Sequence, residues 1–334
     1  MFRLLLICFV SRAWVSAQEP IYTLKVDVPI VSLDVTVTDA AGNTINSLSQ
    51  ADFQILENGI PQEIRYFGPT SAAYNIFLLF DRSGSTRHKW LFMQKAVAGF
   101  LSNLKPQDRV SIATFDEELD ILTKWNDPRT RSLHALTELI RPAEIGRTDF
   151  YRSLERVLRR EFRDIPARRT VVVLTDGRDT STYRHLAMTN RLLDAAEDRE
   201  YQRALRAAQE QRIPTHFIAI NTDRNFEPNM QGGDEFRNLQ IIFPNSETPR
   251  QYLTQVRLRM EDISQISGGR MLYPNSIDDI VPLYEQIARE LGTAYSLGFA
   301  PAERTTGAGY RRIEVKVKDS TLQVKQSRTG YYAR

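Results

Sequence analysis

Three short segments of the chain carry closely spaced side-chain oxygens of the kind that bind hard cations. They are Asp81-Arg82-Ser83-Gly84-Ser85, Gly146-Arg147-Thr148-Asp149 and Thr175-Asp176-Gly177. Mg²⁺ takes oxygen donors in octahedral geometry, with metal–oxygen distances of about 2.0–2.1 Å. Because the segments are far apart in sequence, they form one metal site only if the fold brings them together.

The elements that precede two of these segments predict such a fold. An apolar run at 75–80 ends directly before Asp81, and another at 170–174 ends directly before Thr175. Uninterrupted apolar runs of this length are typical of strands that are buried on both faces of a parallel sheet. Ligands of such sheets bind beyond the carboxyl ends of the strands, near the point where the strand order reverses. We therefore expect the segments to meet at that end of the sheet.

The alternation of strands with helices predicts an α/β fold with a doubly wound, mostly parallel sheet over residues 74–291. An insertion at 221–250 has no periodicity and is either a surface loop or a loop that contacts a partner. Further strands are expected at 109–115 and 215–220, and helices at 132–140, 149–162, 193–211, 252–266 and 277–291.

Two β-rich arms, residues 22–70 and 294–334, flank this domain. In both arms apolar and polar residues alternate, as in strands with one solvated face. Asn58-Gly59 predicts a two-residue hairpin turn. Each arm alone has too few strands for independent stability, so we expect the arms to pair into one small β-sandwich.

Residues 1–17 have the features of a cleaved signal peptide. Arg3 precedes a short apolar stretch at 4–10, and Val15-Ser16-Ala17 fits the small-residue cleavage rule. The stretch is too short to span a bilayer, and a short N-terminal anchor is the alternative interpretation. The mature chain is predicted to be secreted or periplasmic and to have no transmembrane segment. It would also lack disulfides, because the only cysteine is Cys8.

In chain order, the residues Asp81, Ser83 and Ser85, then Thr148, then Asp176 resemble the metal-ion-dependent adhesion site of von Willebrand factor type A domains. The resemblance implies that Ser83 and Ser85 bind one Mg²⁺ or Mn²⁺ ion directly. It implies that Thr148 binds the ion directly in the ligand-engaged state, whereas Asp81 and Asp176 act largely through waters.

This resemblance covers about residues 74–291 and implies an exported adhesion or interaction module. Its partner would be a protein that presents an Asp or Glu carboxylate, since neutral hydroxyl ligands leave the charge of the ion only partly compensated. The flanks are also similar to the von Willebrand factor A-related exported proteins of acidobacteria. The residues of this second resemblance are Asp52-Phe53, Glu57-Asn58-Gly59 and Arg328-Thr329-Gly330-Tyr331.

Each of the three segments has an arginine beside its oxygen donors, at Arg82, Arg147 and Arg178. These arginines either form a cationic rim that pairs with a second acidic group of the partner or are ordinary solvated charges. The serines likewise have an alternative role, because Ser83 or Ser85 can cap the helix that follows.

Other functions remain as alternatives. The chain has no Gly-x-Ser-x-Gly, His-Glu-x-x-His, P-loop or Gly-x-Gly-x-x-Gly motif. Metal-dependent hydrolysis is a further alternative, but the sequence shows no evident general base near the metal site. A structural scaffold with a vestigial metal site is a further alternative. The formal net charge of +3 provides no basic field for nucleic acid. His216 lies in an apolar strand pattern and is expected to be a hydrogen-bonded core residue.

Overall fold

The computed structural model describes residues 30–83, 90–138, 147–165, 168–220, 222–224, 241, 247–301 and 309–332. The predicted signal peptide at 1–17 lies outside these residues, as do Ser85 and most of the 221–250 insertion. Within the described residues, no helix is long and apolar enough to cross a membrane.

Strands and helices follow the predicted order, except in the segment between residues 176 and 214. The strands are β1 (Val31–Thr38), β2 (Phe53–Glu57), β3 (Ile60–Gln62), β4 (Ile64–Gly68), β5 (Asn75–Asp81), β6 (Arg109–Phe115), β7 (Leu119–Thr123), β8 (Arg169–Thr175), β9 (Thr215–Ala219), β10 (Met271–Leu272), β11 (Tyr295–Phe299), β12 (Tyr310–Val317), β13 (Gln323–Gln326) and β14 (Gly330–Tyr332). The α-helices are α1 (Trp90–Asn103), α2 (Arg129–Glu138), α3 (Phe150–Arg156), α4 (Thr180–Thr189), α5 (Arg199–Gln211), α6 (Thr248–Ser267) and α7 (Ile280–Thr293).

The central sheet has the strand order β10-β9-β8-β5-β6-β7, and all its pairs are parallel except β6 with β7. Phe77 and Leu79 of β5 pack on one face with residues of α3, α5 and α6. Ile76, Leu78 and Phe80 pack on the other face with α1 and α7. Burial on both faces explains the uninterrupted apolar run of β5. The doubly wound α/β fold predicted from the sequence is confirmed.

The remaining two sheets are antiparallel, and each takes strands from both arms. Their orders are β13-β1-β11-β4 and β14-β12-β2-β3. Val31 and Phe53 from the first arm share one hydrophobic core with Tyr295 and Ile313 from the second. The arms therefore form a common sandwich, in which neither has to bury its apolar face alone.

The segment between β8 and β9 differs from the prediction. The helix predicted at 193–211 is wrong at its start, because α5 begins at Arg199, after Asp198. The Asp198 carboxylate caps this helix by accepting a hydrogen bond from the Tyr201 amide at 3.1 Å. Helix α4 was not predicted, since its Thr- and Ser-rich sequence has no apolar stripe and buries only Thr182 and Leu186.

His216 in β9 is buried, but its imidazole is not hydrogen-bonded as expected. Neither ring nitrogen has a hydrogen-bond partner among the described residues. Burial, with a smaller contribution from Arg270, lowers the pKa of His216 to about 3. The expectation of a hydrogen-bonded core histidine is therefore wrong, and the side chain is neutral at ordinary pH.

Candidate metal centre

The loop after β5 begins the candidate site. Asp81 is the last residue of β5 and is fully buried. Its Oδ1 accepts a hydrogen bond from the Ser83 amide at 2.9 Å, which turns the chain sharply after the strand. Ser83 is buried beside it, and the Arg82 amide donates to the Phe115 carbonyl at the end of β6.

The loop after β8 lies against this first loop. The Thr175 hydroxyl donates to Asp81 Oδ2 at 2.6 Å and accepts from the Gly177 amide at 2.8 Å. Gly177 has a φ of +74°, and a Cβ at this position would lie 2.6 Å from Met260. Glycine therefore allows the loop to turn here, and Asp176 is buried next to the end of β5.

Asp81 and Asp176 form a pair of buried carboxylates. Burial raises the pKa of Asp81 to about 7, and the charge of Asp176 contributes to this rise. Asp176 Oδ2 has no hydrogen-bond partner among the described residues. Two carboxylates in a desolvated place repel each other, so a cation between or beside them would lower the energy of their charged form.

The loop before α3 joins these two loops through main-chain and hydroxyl contacts. The Thr148 amide donates to the Thr180 hydroxyl at 2.7 Å, and the Thr180 amide donates to the Thr148 carbonyl at 3.0 Å. Thr148 is buried. The structure thus brings Thr148 next to the loop after β8, at the same end of the sheet as Asp81.

An acidic loop after β6 contacts both the loop after β5 and the loop before α3. The Asp116 carboxylate accepts from Arg82 Nη2 at 2.8 Å, and the Asp116 carbonyl accepts from the Asp149 amide at 2.8 Å. Glu117 accepts from the Arg147 amide at 2.7 Å. This loop therefore fixes the loop after β5 relative to the loop before α3.

The three arginines beside the segments have different environments. Arg82 pairs with Asp116 and, at 3.0 Å, with Asp120. The Arg147 side chain is 54% exposed. Arg178 is buried, with its Nε 3.6 Å from Asp176 Oδ2. Arg178 therefore does not form part of an exposed rim, because its guanidinium is enclosed beside a site carboxylate.

The donor set fits a hard divalent cation. Within the described residues there is no group of three or more His, Cys, Asp or Glu side chains that could hold a metal. An ion at this site would thus depend on two carboxylates together with hydroxyl groups. Asp176 Oδ2 accepts no hydrogen bond among the described residues, and the two carboxylates repel each other; both features favour the binding of such an ion. Mg²⁺ and Mn²⁺ both accept oxygen donors of this kind.

Sequence reasoning did not assign Thr175, Asp179 and Thr180 to the site. Thr175 joins the two carboxylate loops, and Thr180 joins the second loop to Thr148. The Asp179 carboxylate accepts from the Ser181 amide at 2.9 Å and from the Tyr151 amide at 3.3 Å. The pattern Asp179-x-Ser181 after a strand is a helix N-cap signal that could have shown one of these roles.

The family model described as the von Willebrand factor type A domain matches residues 75–266, more than half of the chain. No curated protein matches the chain. A von Willebrand factor type A structure from Catenulispora acidiphila is 12% identical, covers 90% of this chain and 73% of its own, and has a TM-score of 0.46. The pilus adhesin SpaC from Lactobacillus rhamnosus GG is 10% identical, with coverages of 84% and 47% and a TM-score of 0.47.

Proximal thread matrix protein 1 from the mussel byssus, in a structure with a zinc-occupied MIDAS motif, is 13% identical and has a TM-score of 0.41. The match covers 66% of this chain and 48% of the mussel protein. The chain therefore spans about half the length of the mussel protein.

Proposed function

Because the chain belongs to the von Willebrand factor type A domain family, we propose that it is an exported module that binds a protein partner through a metal ion. The residues that would hold one Mg²⁺ or Mn²⁺ ion are Asp81, Ser83, Ser85, Thr148 and Asp176. The bound ion supplies an open coordination position for an anionic oxygen, which we propose is a carboxylate of an Asp or Glu side chain.

The observation that supports this proposal is the buried pair of carboxylates at the ends of β5 and β8. Asp81 and Asp176 are at most 1% exposed, and the Nε of Arg178 lies 3.6 Å from Asp176 Oδ2. When both carboxylates are ionised, these three side chains together carry a net negative charge, and burial makes that charge costly. A divalent ion would make the cluster net positive, and a positive cluster attracts an acidic partner.

Arg147 is the arginine that best fits contact with the partner. Its side chain is 54% exposed and lies 3.4 Å from Asp149, whereas Arg82 is held by Asp116 and Asp120 and Arg178 is buried. We propose that Arg147 pairs with a second acidic group of the partner.

The export part of the proposal rests on residues 1–17 and is tested by mass spectrometry of the N-terminus of the protein purified from its native cells.

Calorimetric titration of Mg²⁺ and Mn²⁺ tests the metal site. We expect saturable binding of one ion to the wild type and at least tenfold weaker binding to Asp81→Asn, which keeps the shape of the side chain but removes its charge. Asp164→Asn is the matched control, because Asp164 is exposed and lies outside the site. Absence of Mg²⁺ and Mn²⁺ uptake by the wild type, even with an Asp/Glu peptide present, would refute the proposal.

Capture experiments from the native cell envelope test the partner. Capture should require Mg²⁺, be abolished by chelator and by Asp81→Asn, and persist in Asp164→Asn. Arg147→Gln should weaken it without changing Mg²⁺ affinity. Capture that is the same with and without chelator would favour a structural scaffold over a metal-dependent interaction module.

A further inference from the structure

A second candidate site lies where the sandwich meets the von Willebrand factor A domain, at the start of β8. A small cavity here is lined from the domain side by Arg168, Arg169 and Arg212. From the sandwich side it is lined by residues that include Asp34 and Ser296. We call this cavity the arginine pocket. The candidate metal centre lies at the opposite end of β8, after Thr175, so the arginine pocket is a separate site.

Two arginines that line the arginine pocket, Arg168 and Arg169, and a nearby one, Arg328, form no ion pair among the described residues. Among the described residues, none of Arg168, Arg169 and Arg328 lies within 4.0 Å of a carboxylate oxygen. Burial lowers the pKa of Arg169, and no carboxylate opposes this effect. Burial also lowers the pKa of Arg328 to about 10, and the nearby charge of Arg212 contributes.

The carboxylates of this region do not neutralise these arginines. Asp34 lines the pocket, and its Oδ1 accepts a hydrogen bond from the Ser296 hydroxyl at 2.6 Å. Glu57, the buried carboxylate of β2, pairs with Arg311 at 3.2 Å and accepts a hydrogen bond from Tyr331. Among the described residues that line the pocket, Asp34 is the one carboxylate, and Arg168, Arg169 and Arg212 are the arginines.

Several buried N–H groups near the pocket also lack an acceptor. Arg168 uses Nη1 and Nη2 on backbone carbonyls, but its buried Nε has no hydrogen-bond partner among the described residues. Arg328 does not line the pocket, but it interacts electrostatically with Arg212 and Asp34, which do, and its Nε and Nη1 also have no hydrogen-bond partner among the described residues. Buried charged donors without acceptors are costly, so an acceptor is expected to bind there.

The size of the pocket limits what that acceptor can be. Its volume is about 40 Å³. One water requires roughly 10–15 Å³ on this measure, so the pocket has room for about three waters. A small oxyanion with three or four oxygens needs a comparable space, and planar guanidinium groups recognise such anions by paired N–H···O bonds. We propose that the arginine pocket binds a small inorganic oxyanion, phosphate or sulfate, between the sandwich and the von Willebrand factor A domain.

Thermal unfolding in chelator, with phosphate or sulfate compared with chloride at equal ionic strength, tests the proposal. Chelator removes divalent ions, so phosphate cannot act through the candidate metal centre. The wild type should show a saturable rise in Tm with phosphate, because a ligand that binds only the folded state stabilises it. Arg169→Gln should bind phosphate about tenfold more weakly, which is the loss expected for one charge-assisted hydrogen bond.

Arg131→Gln is the matched control, because Arg131 is an exposed arginine on α2 that is paired with Asp127. Phosphate and sulfate also stabilise proteins through exclusion from the surface, and the control retains that general effect. Calorimetric titration of phosphate into the full chain gives a second measurement that does not depend on the variant. The proposal is overturned if this titration shows no saturable binding, or if Arg169→Gln and Arg131→Gln respond equally to phosphate.

Discussion

Thr175 is absent from the predicted metal site, yet its hydroxyl is the direct link between the two loops that carry the carboxylates. It donates to Asp81 and accepts from the Gly177 amide. Thr175→Val keeps the volume of the side chain but removes the buried hydrogen bonds to Asp81 Oδ2 and from the Gly177 amide. We expect the free energy of unfolding in chelator to fall by about 1–3 kcal/mol. Urea unfolding measures this loss.

Thr175→Ser is the control, because serine keeps the hydroxyl and loses only a methyl group. The serine variant should retain Mg²⁺ affinity close to that of the wild type, whereas the valine variant should bind Mg²⁺ more weakly. Equal Mg²⁺ affinity in the wild type and Thr175→Val would show that this hydroxyl does not position Asp81.

The donors at the strand ends could be predicted because the carboxyl ends of parallel strands share one edge of a sheet. Asp81 and Asp176 follow uninterrupted apolar runs, and these runs fix their places. Thr175 and Thr180 could not be assigned in the same way. Their roles depend on contacts with loops that are distant in sequence, and no periodicity within their own segments encodes those contacts.

The start of helix α4 contacts two of the loops that carry candidate metal ligands. Asp179 caps α4 through Ser181 and also accepts from the Tyr151 amide in the first turn of α3. Burial raises the pKa of Asp179, and its hydrogen bonds oppose this rise. The carboxylate thus joins the N-termini of the two helices that follow Thr148 and Asp176.

Asp179→Ala should destabilise the protein by about 1–2 kcal/mol, as expected for loss of an N-cap. It should also weaken Mg²⁺ binding, because both loops that precede the helices lose a common anchor. Asp179→Asn keeps a capping oxygen and should give smaller effects on both. Urea unfolding measures the change in stability, and calorimetry measures the change in Mg²⁺ affinity. If Asp179→Ala is destabilised as expected but binds Mg²⁺ as the wild type does, then this cap does not position the metal site.

The same elements show where a sequence pattern stops being informative. Strands β5 and β8 could be predicted because burial on both faces of a parallel sheet produces an uninterrupted run of apolar residues. Helix α4 was missed because its contacts are made by Thr182 and Leu186 without an amphipathic stripe. The start of α5 differs from the prediction because Asp198 caps the helix, whereas the predicted helix begins at the apolar residue Leu193.

On the scale of the whole molecule, Arg168 joins the von Willebrand factor A domain to the sandwich. Its guanidinium donates to the carbonyls of Gly68 and Pro69 before the domain, and of Ala294 after it. It also lies 4.1 Å from the centre of the Tyr74 ring. Both chain segments that connect the two domains are therefore held by a single side chain.

Arg168→Gln should lower the free energy of unfolding by at least about 2 kcal/mol, because several buried carbonyls lose their donor. It should also separate the unfolding of the two domains in differential scanning calorimetry, where the wild type is expected to unfold in one transition. The exposed Arg131→Gln variant again serves as the control. A single transition at the wild-type Tm in Arg168→Gln would contradict this role.

The insertion of one domain into another has a mechanical consequence. Strand β1 pairs with β13 as well as with β11, so the two ends of the described chain are held in the same sandwich. Tension applied at residues 31 and 332 would act directly on strands β1 and β14 of the sandwich. The inserted domain would remain outside the shortest path of the force. Force applied by a partner bound at the metal centre would instead pass from the inserted domain to the sandwich through the two connecting segments that Arg168 contacts.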